Sequence, residues 1–324
     1  MDQNSDFIID CNFNLSCILS YAIYLLTPLL IFYYVIYPRF LRKAHNLHER
    51  YNGGWAIVTG ASDGIGYEYC IQLASRGFDI ILIARNIKKL EFKAKKLREK
   101  FPGIQTECIK FDFDTWYSKE SYSELFLKLD EIPDISILVN NVGALWFKPF
   151  EELTHEEIDQ VIRVNNQSLI HLTRYILPRF LKRSEKWLII NVGAGLGCKG
   201  FPGFSVYGAT KAFLHNFIEG IQKEYKGRID ILLSIACPVH TNMNPEEIKV
   251  PFSIPVQDYV GCVMNDIGYT DVTYGHYKHE LLGRFLIYTP LVSWIFQGEF
   301  KRWKEINQTH QDLMEQRMTH EKFD

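Results

Sequence analysis

Residues 55–76, WAIVTGASDGIGYEYCIQLASR, leave this chain few folds to choose from. A short apolar run, Ala56–Thr59, passes through Gly60, Gly64 and Gly66 into Ile65–Arg76, where apolar residues recur at helical spacing. That order specifies a strand, a tight turn and a helix. Gly60 permits the turn, Gly64 lets the backbone approach a ligand, and Gly66 lets the helix pack closely. The helix opens with unpaired N–H groups and a partial positive charge, which suits a pyrophosphate. Ser62, Asp63 and Ile65 complete the turn and are expected beside that ligand. A glycine triplet alone serves equally well in a structural turn. The position of this one, after a first strand and at a helix start, separates the two readings.

The alternation continues along the chain. Ile80–Ala84, Thr106–Phe111, Ile135–Val139, Trp187–Asn191 and Ile229–Ala236 read as buried strands. Ile87–Lys100 and Ile158–Leu181 read as helices, the second preceded by Thr154 and Glu157 in capping-box spacing. Strands alternating with helices predict right-handed crossovers and a parallel sheet covered on both faces, an α/β fold of the doubly wound Rossmann type. The end of the second strand then selects the dinucleotide. An NAD site usually places an acidic residue there for the ribose hydroxyls. Here Ala84 holds that place, Arg85 follows, and Lys88 and Lys89 are near. A guanidinium matches a 2′-phosphate, so the expected cofactor is NADP(H). The competing reading makes Arg85 a solvated residue at a helix start.

Further motifs follow in order: Asp112 after the third strand, Asn140-Asn141-Val142-Gly143, Asn165, and Tyr207-Gly208-Ala209-Thr210-Lys211. With Thr59–Gly66 they resemble the short-chain dehydrogenase/reductase family over residues 51–280. TGASDGIG, LVNNVG, VNNQSLIHLTRYILP and YGATKAF carry a finer resemblance to its membrane-anchored branch, that of the very-long-chain 3-oxoacyl-CoA reductases and 17β-hydroxysteroid dehydrogenases. The resemblance implies a catalytic set of Tyr207, Lys211 and Asn165. Tyr207 would give a proton to a carbonyl oxygen as it gains charge. A free tyrosine, with a pKa of about 10, is a poor acid near neutrality, and a nearby cation such as Lys211 lowers it. Lys211 would also hold the nicotinamide ribose, and Asn165 a water of the proton relay. Asn141 and Gly143 would line the cofactor cleft, Asp112 would meet the adenine, and the Pro238–Thr241 loop would hold the nicotinamide. Tyr-x-x-x-Lys occurs twice, at Tyr207/Lys211 and Tyr274/Lys278. Only the first follows a strand and a glycine-rich loop and opens an apolar helix. The second reads as chance.

Two departures from the family pattern stand out. The position thirteen residues before the tyrosine, normally a serine that stabilises the developing oxyanion, is Ala194. Ser205 and Cys198 are the nearest substitutes, and nothing in the sequence aims either at a carbonyl. Pro238-Val239-His240-Thr241 is also two residues shorter from Pro to Thr than the family's Pro-Gly-x-Val-x-Thr. His240 could serve as a donor there or be an ordinary loop residue.

Leu15–Tyr37 contains no charge over 23 residues. As a helix it spans about 34 Å at ~1.5 Å per residue, enough for a bilayer core. Asp2, Asp6 and Asp10 precede it, and Arg39, Arg42 and Lys43 follow. The basic side is expected to face the cytosol, which places the bulk of the chain there. Pro28 is a candidate kink. The expected organisation is a polar tail at 1–14, a membrane helix at 15–37, a basic linker at 38–50, the Rossmann domain at 51–280, and an apolar then charged helical extension at 281–324. An endoplasmic reticulum membrane is the first expectation for location and the mitochondrial inner membrane the second. The formal charge of −2 argues against a nucleic-acid partner. Seven scattered cysteines without a CxxC pair suggest reduced thiols and no metal site. The sequons are at Asn14, Asn166 and Asn307, and Asn166 falls inside a helical pattern too apolar for a glycan.

Two functions remain open on sequence. One is an NADP(H)-dependent reductase acting on a ketone of an apolar acyl or steroid-like substrate. The other, favoured by Ala194 and the short loop, is a catalytically impaired homologue that keeps the cofactor site and works as a subunit of a membrane complex. A homodimer is a further candidate partner.

Overall fold

A computed structural model of the chain describes residues 17–22, 24–241 and 252–286. The chain divides into two compact units, 1–43 and 44–324. In the first, Cys17–Leu41 is a 25-residue helix long and apolar enough to cross a membrane, and none of its apolar window is buried. Pro28 lies in its α-helical part, whereas Phe32–Leu41 is wound more widely, as a π-helix with Pro38 inside. Proline has no N–H to donate and crowds the preceding turn, so each proline removes one rung of the helical hydrogen-bond ladder.

The second unit is built on a seven-stranded sheet of parallel pairs. Its strands are β1 (Trp55–Thr59), β2 (Asp79–Ala84), β3 (Thr106–Lys110), β4 (Ile135–Asn140), β5 (Leu188–Ala194), β6 (Asp230–Ala236) and β9 (Val272–Thr273). They lie in the order β3-β2-β1-β4-β5-β6-β9. β7 (Val239–His240) and β8 (Ile254–Pro255) pair separately, in parallel. β1 pairs with β2 on one side and β4 on the other, so the winding reverses there and a crevice opens beyond the carboxyl ends of both strands.

Side chains alternate across each strand and feed two cores. On one face, Ala56, Val58, Ile80 and Leu82 pack with α1 (Gly64–Ala74), α2 (Ile87–Lys100) and α7 (Val256–Asp266). On the other, Ile57, Ile81 and Ile83 pack with α3 (Lys119–Asp130), α5 (Ser168–Leu181) and α6 (Ser205–Glu224).

Three differences from the sequence reading matter. The helix expected over Ile158–Leu181 begins at His155, with the Thr154–Glu157 capping box in place, but it breaks into α4 (His155–Ile162), a π-turn (Arg163–Gln167) and α5. The expected linker from Ala44 on is part of the second unit: Leu47 is buried, as is Tyr51 just after the linker, and Arg50 and the Tyr51 hydroxyl both bind one oxygen of Asp230 at 2.7–3.0 Å. The strands β7, β8 and β9 have two residues each, too short for any periodicity. The expected features at 1–14, the Asn14 and Asn307 sequons and the extension beyond Leu286 lie outside the described residues.

Candidate active site

The glycine turn forms as its sequence requires. Gly60 and Gly64 take φ of 64° and 53°, in the left-handed region that only glycine enters freely. Asp63 caps α1, its Oδ1 accepting from Gly64 N at 2.8 Å, and its Oδ2 meets Lys89 Nζ at 3.3 Å. A Cβ on Gly66 would lie 2.3 Å from Gly60 O and 2.4 Å from Asn141 Nδ2, so the helix start touches the turn. Ser62 is half-buried in the turn, and Ile65 packs against the core.

Asn141 braces the glycine turn. Its Nδ2 donates to Thr59 O at 2.9 Å and Gly60 O at 3.3 Å. Thr59 Oγ1 in return accepts from the amides of Asn141 and Val142 at 2.9 and 3.1 Å. The amide side chain is therefore spent on holding the glycine turn against the end of β4. Gly143 keeps the cleft open: a Cβ there would come 3.4 Å from Asn165 Oδ1 and 3.7 Å from Lys211 Nζ.

Asn165 sits in the π-turn, whose extra residue turns the side chain inward. Its Oδ1 accepts from Ala144 N at 2.7 Å, and its Nδ2 donates to Ala144 O at 3.0 Å and Thr210 Oγ1 at 2.9 Å. Thr210 Oγ1 donates to Tyr207 O at 2.7 Å. Tyr207 and Lys211 lie one turn apart on α6, both buried. Lys211 Nζ donates to Val192 O at 3.1 Å and stands 5.8 Å from the centre of the Tyr207 ring. Burial pushes Lys211 down to about 8 and pushes the Tyr207 hydroxyl well above its ordinary value.

The remaining predicted residues fall around this crevice. Arg85 is exposed just past β2, beside the engaged Lys89. Asp112 is exposed after β3, its Oδ1 accepting from Asp114 N at 3.0 Å. Thr241 closes on the turn, its side chain 3.3 Å from where a Cβ on Gly64 would stand. Pro238 O accepts from Ile254 N at 3.2 Å and from His279 Nε2 at 3.1 Å. A turn of left-handed glycines at a helix start fits the pyrophosphate of a nicotinamide dinucleotide.

Ala194 ends β5, buried, level with Ala236 of β6. Its methyl offers no hydrogen bond. Cys198 Sγ faces His215 Nδ1 at 4.0 Å and the Tyr274 hydroxyl at 3.7 Å, and Ser205 is exposed at the first residue of α6. Tyr274 and Lys278 do not share a helix face: the tyrosine is buried just after β9, the lysine exposed within α8 (Tyr277–Leu281). Sequence reasoning missed Arg163, which is buried in the π-turn and bonded to Asp114 Oδ1 at 2.8 Å and to Glu156 Oε1 at 2.5 Å. An arginine inside an apolar helical run was the available signal.

Known proteins resemble this geometry and its sequence. A family model described as short chain dehydrogenase matches residues 54–249. Very-long-chain 3-oxoacyl-CoA reductase-B of Danio rerio is 34% identical over 237 residues, covering 71% of this chain and 74% of the relative. Inactive hydroxysteroid dehydrogenase-like protein 1 of Homo sapiens is 32% identical over 269 residues, covering 80% of this chain and 78% of the relative. A solved short-chain dehydrogenase from Sphingobium yanoikuyae in complex with NADPH matches with a TM-score of 0.60 at 28% identity, covering 66% of this chain and 84% of that one.

Proposed function

The chain belongs to the short-chain dehydrogenase/reductase family of nicotinamide-dependent oxidoreductases, and on that premise we propose that it is a membrane-anchored, NADP(H)-dependent reductase of a ketone on a lipid-like substrate. One observation carries the reading. Asn141 binds the glycine turn while Gly143, two residues on, meets Asn165 and Lys211, so a phosphate-type turn and a tyrosine–lysine pair share one crevice.

A bound nicotinamide would supply hydride. Gly60–Gly66 and the start of α1 would hold the pyrophosphate, Arg85 the 2′-phosphate, and Asp112 the adenine side. Tyr207 holds the proton that a ketone oxygen needs as it becomes an alkoxide. Lys211 is charged below about 8 and favours loss of that proton. Asn165 fixes Ala144 and Thr210, and through Thr210 the Tyr207 backbone. The apolar helix Cys17–Leu41 would keep the site beside a membrane that dissolves long-chain 3-oxoacyl or ketosteroid substrates. The charge asymmetry around it supports a cytosolic active unit on the endoplasmic reticulum.

A second reading has its own support: a cofactor-binding subunit with impaired catalysis. Ala194 removes an oxyanion donor, a loss that typically costs ~10²–10³ in rate. One relative carries the word inactive in its name. To decide, purified full-length protein would be titrated with NADPH, then assayed with long-chain 3-oxoacyl-CoA and ketosteroids. Turnover supports the reductase. Binding without turnover, together with activity raised ~10²-fold in Ala194→Ser, supports the impaired homologue. No binding of either nicotinamide dinucleotide defeats both.

A further inference from the structure

The loop after β6 is two residues shorter than the family pattern, yet its far end reaches the glycine turn: Thr241 stands against Gly64. Beside its near end stands a histidine from much later in the chain. His279, on α8, is fully buried. Its Nε2 lies 3.1 Å from Pro238 O, and a carbonyl only accepts, so Nε2 carries the proton. Nδ1 is then the bare nitrogen, buried without a hydrogen-bond partner. Burial drives this imidazole down to about 4 and keeps it neutral.

The post beneath it is rigid. Neighbouring Glu280 accepts from Tyr274 N at 3.1 Å and from Arg284 Nε at 2.6 Å, tying α8 to the end of β9. The His279 ring packs 5.8 Å from that of Tyr259 on α7. Pro238 O accepts a second bond from Ile254 N, the first rung of the β7–β8 pair. One carbonyl thus joins the end of β6, the β7–β8 ladder and α8.

We infer that His279 is a positioning residue for the cofactor site: by holding the Pro238 carbonyl it fixes where the shortened Val239–Thr241 segment lies over the glycine turn. A loop with two residues fewer has less slack to find that place itself. The expected effect on affinity rests on the NADP(H) reading above; the effect on the ladder does not.

Full-length protein in detergent micelles provides the test, with His279→Leu, which removes the donor, and His279→Gln, whose amide N–H can reach the same carbonyl. Two quantities are read: hydrogen exchange at the Ile254 amide without ligand, and affinity for NADPH beside its 2′-phosphorylated AMP half, which lacks the nicotinamide and the pyrophosphate link. Expected for His279→Leu are faster exchange at Ile254 and NADPH binding weaker by roughly five- to tenfold, the equivalent of one lost hydrogen bond. Binding of the adenine half should stay within about twofold, and His279→Gln should recover both effects. Unchanged exchange at Ile254 overturns the proposal. So does equal weakening of NADPH and the adenine half, or a glutamine variant no better than leucine, either of which marks a general packing role. If His279→Leu does not fold, His279→Asn takes its place, since its shorter amide cannot span the gap. Equal exchange and affinity in the asparagine and glutamine variants then overturns the proposal. Failure of the wild type to bind NADPH would end the cofactor reading and leave exchange at Ile254 to decide the anchor.

Discussion

Lys211 has to be charged to help Tyr207, yet it is buried against Val192 O. Burial lowers it to about 8, while the unfolded chain keeps it near the free value of about 10.4. The folded state therefore releases this proton first. Below about 8 both states hold the proton and the cost of a buried charge is fully present; as pH rises toward about 10 only the unfolded state still holds it, so stability grows with pH. Relative to Lys211→Met, the wild type should gain up to a few kcal/mol of unfolding free energy across that window. Denaturant titrations at several pH values measure it, and a pH-independent difference would refute the assignment. The Tyr207–Lys211 pair was legible in sequence because its spacing puts both side chains on one helix face, whereas Asn165 was legible only through the family resemblance. The protonation balance was not, because desolvation depends on everything packed around α6.

At the scale of elements, glycine separates what a turn requires from what a helix merely tolerates. Gly66 opens α1 with no room for a methyl, its Cβ position 2.3 Å from Gly60 O. Gly66→Ala should push the helix off the turn, costing about 1–3 kcal/mol and weakening NADPH binding. Gly220 lies inside α6, exposed, with nothing within 4 Å of its Cβ position. Gly220→Ala should instead stabilise the fold by about 0.5–1 kcal/mol by reducing the freedom of the unfolded chain. Urea midpoints of the pair provide the check, and a shift in the same direction would contradict the geometry. The π-turn shows the limit of element-level reading. Ile158–Leu181 is a good helical pattern, and only the bonds of Arg163 to Asp114 and of Asn165 to Ala144 and Thr210 select the wider winding.

At the scale of the molecule, the boundary between the units at Lys43 and Ala44 gives a prediction. A chain beginning at Ala44 retains Leu47, Tyr51 and the Arg50–Asp230 pair, and should melt cooperatively in aqueous buffer. One beginning at Gly54 loses them and should be less stable by about 3 kcal/mol or more, since two large buried side chains are removed. Thermal melts of the two truncations distinguish this from a linker that contributes nothing. The sequence by itself determined the parallel α/β fold, the glycine turn, the tyrosine–lysine pair and the apolar helix. Each depends on a local period or on one residue's intrinsic freedom, and such constraints act between neighbours in the chain. Only the tertiary structure decided that Asn141 holds the turn, that Lys211 faces a carbonyl, that the π-turn presents Asn165, and that His279 reaches back to Pro238. Those outcomes depend on hydrogen bonds and burial between residues far apart in sequence, and no local pattern encodes which distant partner will lie within 3 Å.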